Sequence, residues 1–266
     1  MFTAKEYVMP QTLDEAYKLL MARKNNYILG GCAWLRMGKR RINTAIDLSE
    51  AGLDFINETE DSIEIGAMTS YRTVETSEVL KVHFNGVLCD CIANIIGTQF
   101  RNTVTVGGSI YARFGFSDFL TPLLALDTYV VLYKEGVIPL SDFMYQPYKK
   151  DILAKIIIKK DSRHLSYQML RNSHADFPIV NVAVSKSGSD YRVCIGARPA
   201  KAVTAPKTSE FLSHTNFENI ESVTKKAGEI MAEEVKFMTN TKASAKYRQT
   251  IARTLLKRAV MEVGIC

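Results

Sequence analysis

The chain has 266 residues, which is long enough to bury a substantial core in two or more compact units. Hydrophobic residues make up 47% and charged residues 23%, the proportions of an ordinary soluble globular protein. No apolar run approaches the roughly 20 residues that cross a bilayer. The first six residues contain no apolar signal-peptide core, so we predict a cytoplasmic protein without a membrane span.

The formal net charge is +6, which raises the question of a nucleic-acid partner. The basic residues are spread along the chain without the signature of a nucleic-acid-binding module, so we predict no nucleic-acid partner. Lys39-Arg40-Arg41 is the densest basic run. It is interpreted first as a solvated loop and second as a docking patch for an acidic partner.

The five cysteines are too few and too scattered for a disulfide framework. Cys89 and Cys91 form the only close pair, and one intervening residue without a second pair argues against a zinc or iron–sulfur site. We therefore predict a buried pair on a helix. The four histidines are dispersed, and no Ser/His/Asp or paired-carboxylate arrangement stands out. The sequence thus predicts neither a metal site nor a catalytic side chain.

The first elements form a small βαβ unit over about residues 1–57. Thr12 and Glu15 have the spacing of a capping box, with Thr12 as the N-cap of a helix that stops near Asn25-Asn26. A short strand at residues 27–29 leads into Gly30-Gly31, and a second strand is predicted around residues 45–48.

The second subdomain covers about residues 58–160. Strands are predicted at residues 62–67, 128–133 and 155–158, and helices at 87–96 and 119–126; Thr69 or Ser70 would cap another short helix. Residues 103–110 carry a second glycine pair, Gly107-Gly108, and Thr105 is predicted to lie on a strand before it.

The pattern of predicted elements in residues 161–266 differs from that of the preceding residues. Three strands at residues 165–170, 179–184 and 191–197 precede two long helical patterns at 220–235 and 244–263. The chain is therefore predicted to end in a small antiparallel sheet covered by helices, and the basic residues of the last helix, Arg248 among them, are predicted to form a solvated face.

The two glycine pairs are candidate phosphate-binding loops. Glycine leaves no Cβ in the way of a ligand, and successive exposed N–H groups form an anion-binding concavity. Two such loops suit a dinucleotide, although paired glycines also make plain tight turns. Neither pair matches the G-x-G-x-x-G fingerprint or the P-loop. Thr105 could donate its hydroxyl to a phosphate, and Asp118 could bind a sugar hydroxyl or cap a helix.

Four segments in order resemble one family, the flavin-binding subunits of molybdenum hydroxylases, which includes xanthine dehydrogenase and carbon monoxide dehydrogenase. Residues 101–109, R-N-T-V-T-V-G-G-S, resemble its R-N-x-x-T-x-G-G-N signature. Residues 27–35 are similar to its first flavin loop, A-G-G-T-x-L. Residues 121–127 resemble the helix after the second loop, and residues 247–259 resemble the terminal Y-R-x-x-L-A-x-x-L-L-x-R-A helix.

The resemblance implies an α+β fold: a two-subdomain, PCMH-type FAD-binding domain over residues 1–160, then a CO-dehydrogenase-flavoprotein-like domain over residues 161–266. Gln168 stands where many relatives have a basic residue directed at the cofactor, and Ser109 replaces the usual asparagine. The implied cofactor-binding residues are Ile28, Leu29, Gly30, Gly31, Cys32, Ala33, Trp34, Ile95, Thr105, Val106, Gly107, Gly108, Ser109, Asp118, Leu153 and Gln168.

The resemblance also implies a role. FAD on this chain would take electrons from 2Fe-2S clusters on a partner subunit, after substrate oxidation at a molybdopterin-binding subunit, and pass them to NAD or another acceptor. The substrate would be a purine or related N-heterocycle. Two alternatives stay open: a self-contained flavin oxidase of the same superfamily, and a non-catalytic scaffold that has lost FAD.

Overall fold

A computed structural model describes residues 1–265, and its first 159 residues mix short helices with eight strands. Two 3-10 turns, Leu35–Met37 and Phe84–Gly86, also occur there. The elements in chain order are β1 (Thr3–Val8), α1 (Leu13–Ala22), β2 (Tyr27–Leu29), β3 (Arg41–Asp47), β4 (Ile56–Glu58), β5 (Ser62–Gly66), α2 (Tyr71–Glu75), α3 (Glu78–Val82), α4 (Val87–Ala93), α5 (Thr98–Thr103), α6 (Val106–Ala112), α7 (Leu120–Leu124), β6 (Thr128–Leu132), β7 (Gly136–Pro139), α8 (Leu140–Tyr145) and β8 (Leu153–Lys159).

The remaining residues form four strands followed by three helices. They are β9 (His164–Leu170), β10 (Val180–Ser187), β11 (Asp190–Gly196), β12 (Val203–Thr204), α9 (Pro206–His214), α10 (Ile220–Glu234) and α11 (Ala245–Ile265). None of the helices in residues 1–265 combines the length and the apolar composition that crossing a bilayer requires. Cys266 lies outside the described residues.

Two compact units are interleaved along the chain. Unit 1 comprises residues 1–77, 97–112 and 128–159, and unit 2 comprises residues 78–96, 113–127 and the chain from residue 160 on. Both glycine pairs belong to unit 1, whereas Asp118 and Gln168 belong to unit 2. The contiguous boundaries near residues 57 and 160 remain predictions about sequence domains.

Unit 1 contains the predicted βαβ arrangement as a three-stranded parallel sheet with the order β1-β3-β2. Thr12 caps α1 by accepting a hydrogen bond from the Glu15 amide at 3.2 Å, as the capping box predicts. Ala16 and Leu20 of that helix pack against Ile46 and Leu48. This packing fixes β2 beside β3, so the first glycine pair emerges from a strand end that the sheet holds in place.

The second sheet of unit 1 has five antiparallel strands in the order β4-β5-β8-β6-β7. Its central strands are rich in β-branched residues, and Ile63, Ile65, Val130, Ile156 and Ile158 are all fully buried. The alternation that predicted strands at residues 62–67, 128–133 and 155–158 is confirmed, with bounds shifted by one or two residues.

Unit 2 is built on a four-stranded antiparallel sheet with the order β12-β11-β10-β9. One face of β10, formed by Val180, Val182 and Val184, packs against the apolar face of α11. The predicted α+β class and the helix-covered antiparallel sheet are therefore confirmed.

Arg248 corrects one prediction. The sequence predicts that Arg248 lies on a solvated basic face of the last helix, but its side chain is 1% exposed. Its guanidinium donates to the carbonyl oxygens of Ile179, Met238 and Ala243 and to Oδ1 of Asn240, at 2.7–2.8 Å. These acceptors surround the planar fork and replace water, which explains how a charged side chain is buried there.

We expect Arg248→Lys to lower the free energy of unfolding by about 2 kcal/mol, because an ammonium group cannot reach four acceptors spread around a planar fork. Arg258→Lys, an exposed change on the same helix, is the matched control and should stay within about 0.5 kcal/mol of the native chain. Urea unfolding followed by circular dichroism measures both. Equal stability of the two variants would show that the buried hydrogen bonds contribute little.

Candidate functional site

The structure brings the two glycine pairs into contact within unit 1. A Cβ added to Gly30 would lie 2.9 Å from the Thr105 hydroxyl and 3.3 Å from the Gly108 Cα. A Cβ added to Gly31 would lie 1.6 Å from the Thr103 carbonyl oxygen. The backbones therefore approach so closely that no side chain fits at Gly31, and a side chain at Gly30 would require Thr105 to move.

The first glycine loop presents amide groups that are not used inside the chain. Among the described residues, the N–H groups of Gly31, Cys32 and Ala33 have no hydrogen-bond acceptor. Cys32 has a φ of 57°, and its thiol contacts the Gly30 carbonyl oxygen at 3.2 Å. Consecutive free N–H groups around a left-handed residue form a concave anion site, and this loop has both features.

The second glycine pair differs from its prediction. Thr105 does not lie on a strand, and Gly107 and Gly108 occupy the first turn of α6. Thr105 accepts a hydrogen bond from the Gly108 amide at 3.2 Å, so it acts as a helix-capping residue. The β-branched alternation of residues 103–106 suggested a strand, but threonine is also a favoured N-cap, and here that preference prevails.

The amides of this second pair are already bonded within unit 1. Gly107 N donates to the Ala67 carbonyl oxygen at 2.8 Å, and Gly108 N donates to the Thr105 hydroxyl at 3.2 Å. Gly107 also packs so tightly that an added Cβ would lie 2.7 Å from the Ala67 Cβ. The two pairs are therefore not equivalent: the loop of the first pair has amides without an acceptor among the described residues, and the second pair allows close packing.

Neighbouring polar groups hold this region in place. Arg101 is buried and forms a two-pronged ion pair with Glu75, with Nε–Oε2 at 2.7 Å and Nη2–Oε1 at 3.0 Å. Ser109 accepts a hydrogen bond from the Tyr71 hydroxyl. Arg101 and Ser109 thus order the segment around the second glycine pair. Of the other predicted residues in unit 1, Val106 and Leu153 are buried, and Ile28, Leu29, Ala33 and Trp34 flank the first loop.

Unit 2 contains a buried polar cluster around Asp118, which is 4% exposed. Its Oδ1 accepts hydrogen bonds from the Tyr167 hydroxyl at 2.5 Å and from Arg171 Nη2 at 2.8 Å. Burial raises the pKa of Asp118 to about 6, and Arg171 and Tyr167 oppose that rise. The alternative role for Asp118 as a helix cap is wrong, since Ser117 accepts from the Leu120 amide instead.

Gln168 projects from one face of β9, and Asp118 lies against the other face. Gln168 Nε2 donates to Glu262 of α11 at 2.7 Å, and Ser166 donates to the same carboxylate. Tyr167 lies between Ser166 and Gln168 in the strand. Its side chain therefore points to the other face, where it reaches Asp118, because successive side chains of a strand alternate between faces. Unit 2 therefore does not bring Gln168 and Asp118 together. Ile95 is half-buried just after α4.

Arg171 was missed by the sequence analysis and is the centre of this cluster. Besides its ion pair with Asp118, it donates to the carbonyl oxygens of Asn94 and Asp176. It continues the alternation of Tyr167 and Met169 just beyond the end of β9. Two features of the sequence could have identified Arg171: its place in the two-residue period of the strand, and the need of the buried Asp118 carboxylate for a positively charged partner.

The cysteine prediction is confirmed for the pair on α4: Cys89 and Cys91 are 4% and 3% exposed. Burial raises the pKa of the Cys91 thiol well above its usual value, and the Asp118 carboxylate adds to the rise. Within residues 1–265 no three His, Cys, Asp or Glu side chains are grouped so that they could hold a metal ion.

Two family profiles together match most of the chain. Residues 2–160 match the FAD binding domain in molybdopterin dehydrogenase, and residues 165–263 match the CO dehydrogenase flavoprotein C-terminal domain.

Individual proteins agree with these profiles. The chain is 25% identical to the nicotine 6-hydroxylase medium subunit of Paenarthrobacter nicotinovorans, covering 98% of both chains. It is 22% identical to the glyceraldehyde dehydrogenase medium chain of Sulfolobus acidocaldarius, over 97% of this chain and 98% of that one. A chain of quinoline 2-oxidoreductase from Pseudomonas putida 86 superposes with a TM-score of 0.89 at 19% identity, covering 99% of this chain and 98% of that one.

Proposed function

The chain belongs to the family of FAD-binding subunits of molybdenum hydroxylases, and we propose that it carries electrons through FAD within a multi-subunit enzyme of that class. The first glycine loop is the observation that supports this proposal. Its three unpaired amides, at Gly31, Cys32 and Ala33, suit the diphosphate of a dinucleotide. The close backbone contact between the two glycine pairs holds this loop, and with it the three amides, in place.

The residues present therefore fit the cofactor. FAD supplies the two-electron chemistry that protein side chains lack. The chain's own part is to bind and orient it: Gly31, Cys32 and Ala33 donate their amides, and Gly107 and Gly108 allow the supporting turn to pack closely. The roles of the unit 2 residues Asp118, Ile95 and Gln168 toward FAD stay predictions.

The finer assignment is also proposed. Electrons would reach this chain from 2Fe-2S clusters on one partner subunit, after oxidation of the substrate at a molybdopterin-binding subunit, and NAD would be the acceptor. An N-heterocyclic substrate is supported by two relatives, which are named for nicotine and nicotinate. A third relative is named for glyceraldehyde, which contains no heterocycle, so the names of the relatives do not agree on one substrate class.

Reconstitution with FAD tests the proposal. The purified chain is titrated with FAD and its visible absorption spectrum is recorded before and after addition of NADH under nitrogen. We expect one FAD per chain and bleaching of the flavin by NADH. A spectrum without bound flavin would contradict the proposal and favour the scaffold. Bleaching by an alcohol or a phenol, with no response to NADH, would favour the self-contained oxidase.

A further inference from the structure

The segment of residues 34–41, called here the basic segment, is exposed and carries both apolar and cationic side chains. Trp34 and Met37 are 42% and 74% exposed, which is unusual for side chains of this size. Trp34 is the only tryptophan in the chain. The exposed cations of the segment are Arg36, Lys39, Arg40 and Arg41.

Within the described residues these four cations are not neutralised by a carboxylate. In the part of the chain that the structure describes, none of them forms an ion pair with a carboxylate. No acidic residue occurs between positions 31 and 46. The Arg40 guanidinium lies 4.9 Å from the centre of the Tyr27 ring, which orients the group and leaves its charge in place. The segment therefore presents a concentrated positive field.

The basic segment is held rigidly. Arg36 N donates to the Cys32 carbonyl at 3.0 Å, and Gly38 N donates to the Leu35 carbonyl at 3.1 Å, which closes a 3-10 turn. Leu35 packs against the small core of Leu29, Ile42 and Ala45. A fixed backbone lowers the entropy lost when a partner binds, which favours a docking role over a solvated loop.

We propose that the basic segment is the docking surface for an acidic protein surface on the iron–sulfur partner subunit. Charge complementarity selects a carboxylate-rich partner, and the exposed tryptophan, methionine and arginines are residue types enriched at protein interfaces. The segment directly follows the amides of the first glycine loop, so a partner seated on it lies beside the proposed flavin site. The existence of that partner rests on the proposed function.

A membrane surface is the less favoured partner. A helix that lies in a membrane surface buries a continuous apolar face in the lipid. The basic segment contains one 3-10 turn of three residues and only two large exposed apolar side chains. An acidic protein surface with a small apolar pocket matches that shape better.

Charge reversal tests the proposal. The variant Arg36→Glu/Lys39→Glu/Arg40→Glu is compared with Lys225→Glu/Lys246→Glu/Arg258→Glu, which makes the same charge change at exposed positions of unit 2. Binding to the purified iron–sulfur subunit is measured by calorimetry at low and high salt. We expect the first variant to bind at least about 100-fold more weakly and the second within about threefold of the native chain. Added salt should weaken native binding.

Trp34 provides a second readout at a single position. The chain is labelled with 5-fluorotryptophan, and its one fluorine signal should shift when the iron–sulfur subunit is added. An unshifted signal, or equal binding by both variants, would overturn the proposal. Failure of the native chain to bind that subunit would also overturn the proposal. So would binding of the native chain, through this segment, to vesicles containing phosphatidylserine in place of the subunit.

FAD content keeps this test separate from the proposed function. It is measured on each chain alone, before the partner subunit is added. Normal FAD content in the charge-reversal variant together with lost docking supports the inference. A native chain without FAD contradicts the proposed function whatever its binding to the subunit shows.

Discussion

Gly31→Ala is expected to lower the free energy of unfolding by about 4 kcal/mol and to weaken FAD binding at least about 100-fold. The added Cβ would lie 1.6 Å from the Thr103 carbonyl oxygen and 3.0 Å from the Val104 Cα. Both obstacles are backbone, which cannot rotate away as a side chain can. The two glycine segments must therefore separate, and their separation moves the amides of Cys32 and Ala33.

Alanine substitutions at two further glycines provide comparisons for this prediction. Gly30→Ala should have an intermediate effect, because its Cβ meets the Thr105 hydroxyl at 2.9 Å, and that side chain can turn. Gly38→Ala is the matched control: its φ is −87° and its Cβ meets only the Leu35 carbonyl oxygen at 3.5 Å. It should change stability by no more than about 0.5 kcal/mol.

Urea unfolding and quenching of flavin fluorescence on binding measure the two effects separately. If Gly31→Ala fails to fold, the FAD affinity of Gly30→Ala still tests whether the first glycine loop binds the cofactor. Native stability and native FAD affinity in the Gly31 variant would show that the two glycine pairs are not packed together in solution.

The sequence predicts the elements whose side chains alternate between a buried and an exposed face. The strands around Ile63, Val130 and Ile156 and the long helices α10 and α11 are such elements, because a half-buried face leaves its period in the residues. Strand β1 was missed for the opposite reason. Nearly all of its side chains are exposed, and its backbone pairing with β3 defines it as a strand.

The sequence predicts those parts of the candidate site in which the backbone conformation depends on the type of residue. Paired glycines mark places where a Cβ cannot fit, so Gly30-Gly31 and Gly107-Gly108 were found. Which amides stay unpaired depends on distant partners such as Ala67, which accepts from Gly107. The burial of Arg248 depends likewise on carbonyl oxygens that carry no sequence signal. Tertiary hydrogen bonding of this kind cannot be read from residue types alone.

Arg171→Met is expected to destabilise unit 2 in a pH-dependent way. At pH 7.5 we expect a loss of about 3–5 kcal/mol, because the buried Asp118 carboxylate is left without its counter-charge. Near pH 4.5 the loss should fall to about 1–2 kcal/mol, which reflects hydrogen bonds alone. The reason is that folded Asp118 is already protonated there, so no buried charge is left uncompensated.

The sign follows from the raised pKa of Asp118, which is about 6 in the folded chain against an ordinary value of 3.8. Between these values the unfolded chain has lost a proton that the folded chain still holds, so stability falls as pH rises through this window. At 1.36 kcal/mol per pH unit the burial of this one carboxylate costs about 3 kcal/mol above pH 6. Asp118→Asn should remove that fall. In Arg171→Met the pKa of Asp118 should rise further, which extends the fall above pH 6.

A double variant separates charge from packing. Asp118→Asn/Arg171→Met removes both charged groups, so it should recover most of the stability that Arg171→Met loses at pH 7.5. Arg192→Met is the control, since its ion pair with Asp190 is 3.5 Å long and partly exposed, and it should cost no more than about 1 kcal/mol. The stability of all four variants is measured by the midpoint of urea unfolding between pH 4.5 and 7.5. A loss in Arg171→Met that is the same at every pH would mean that Arg171 acts through packing, and that the charge on Asp118 is balanced by other groups.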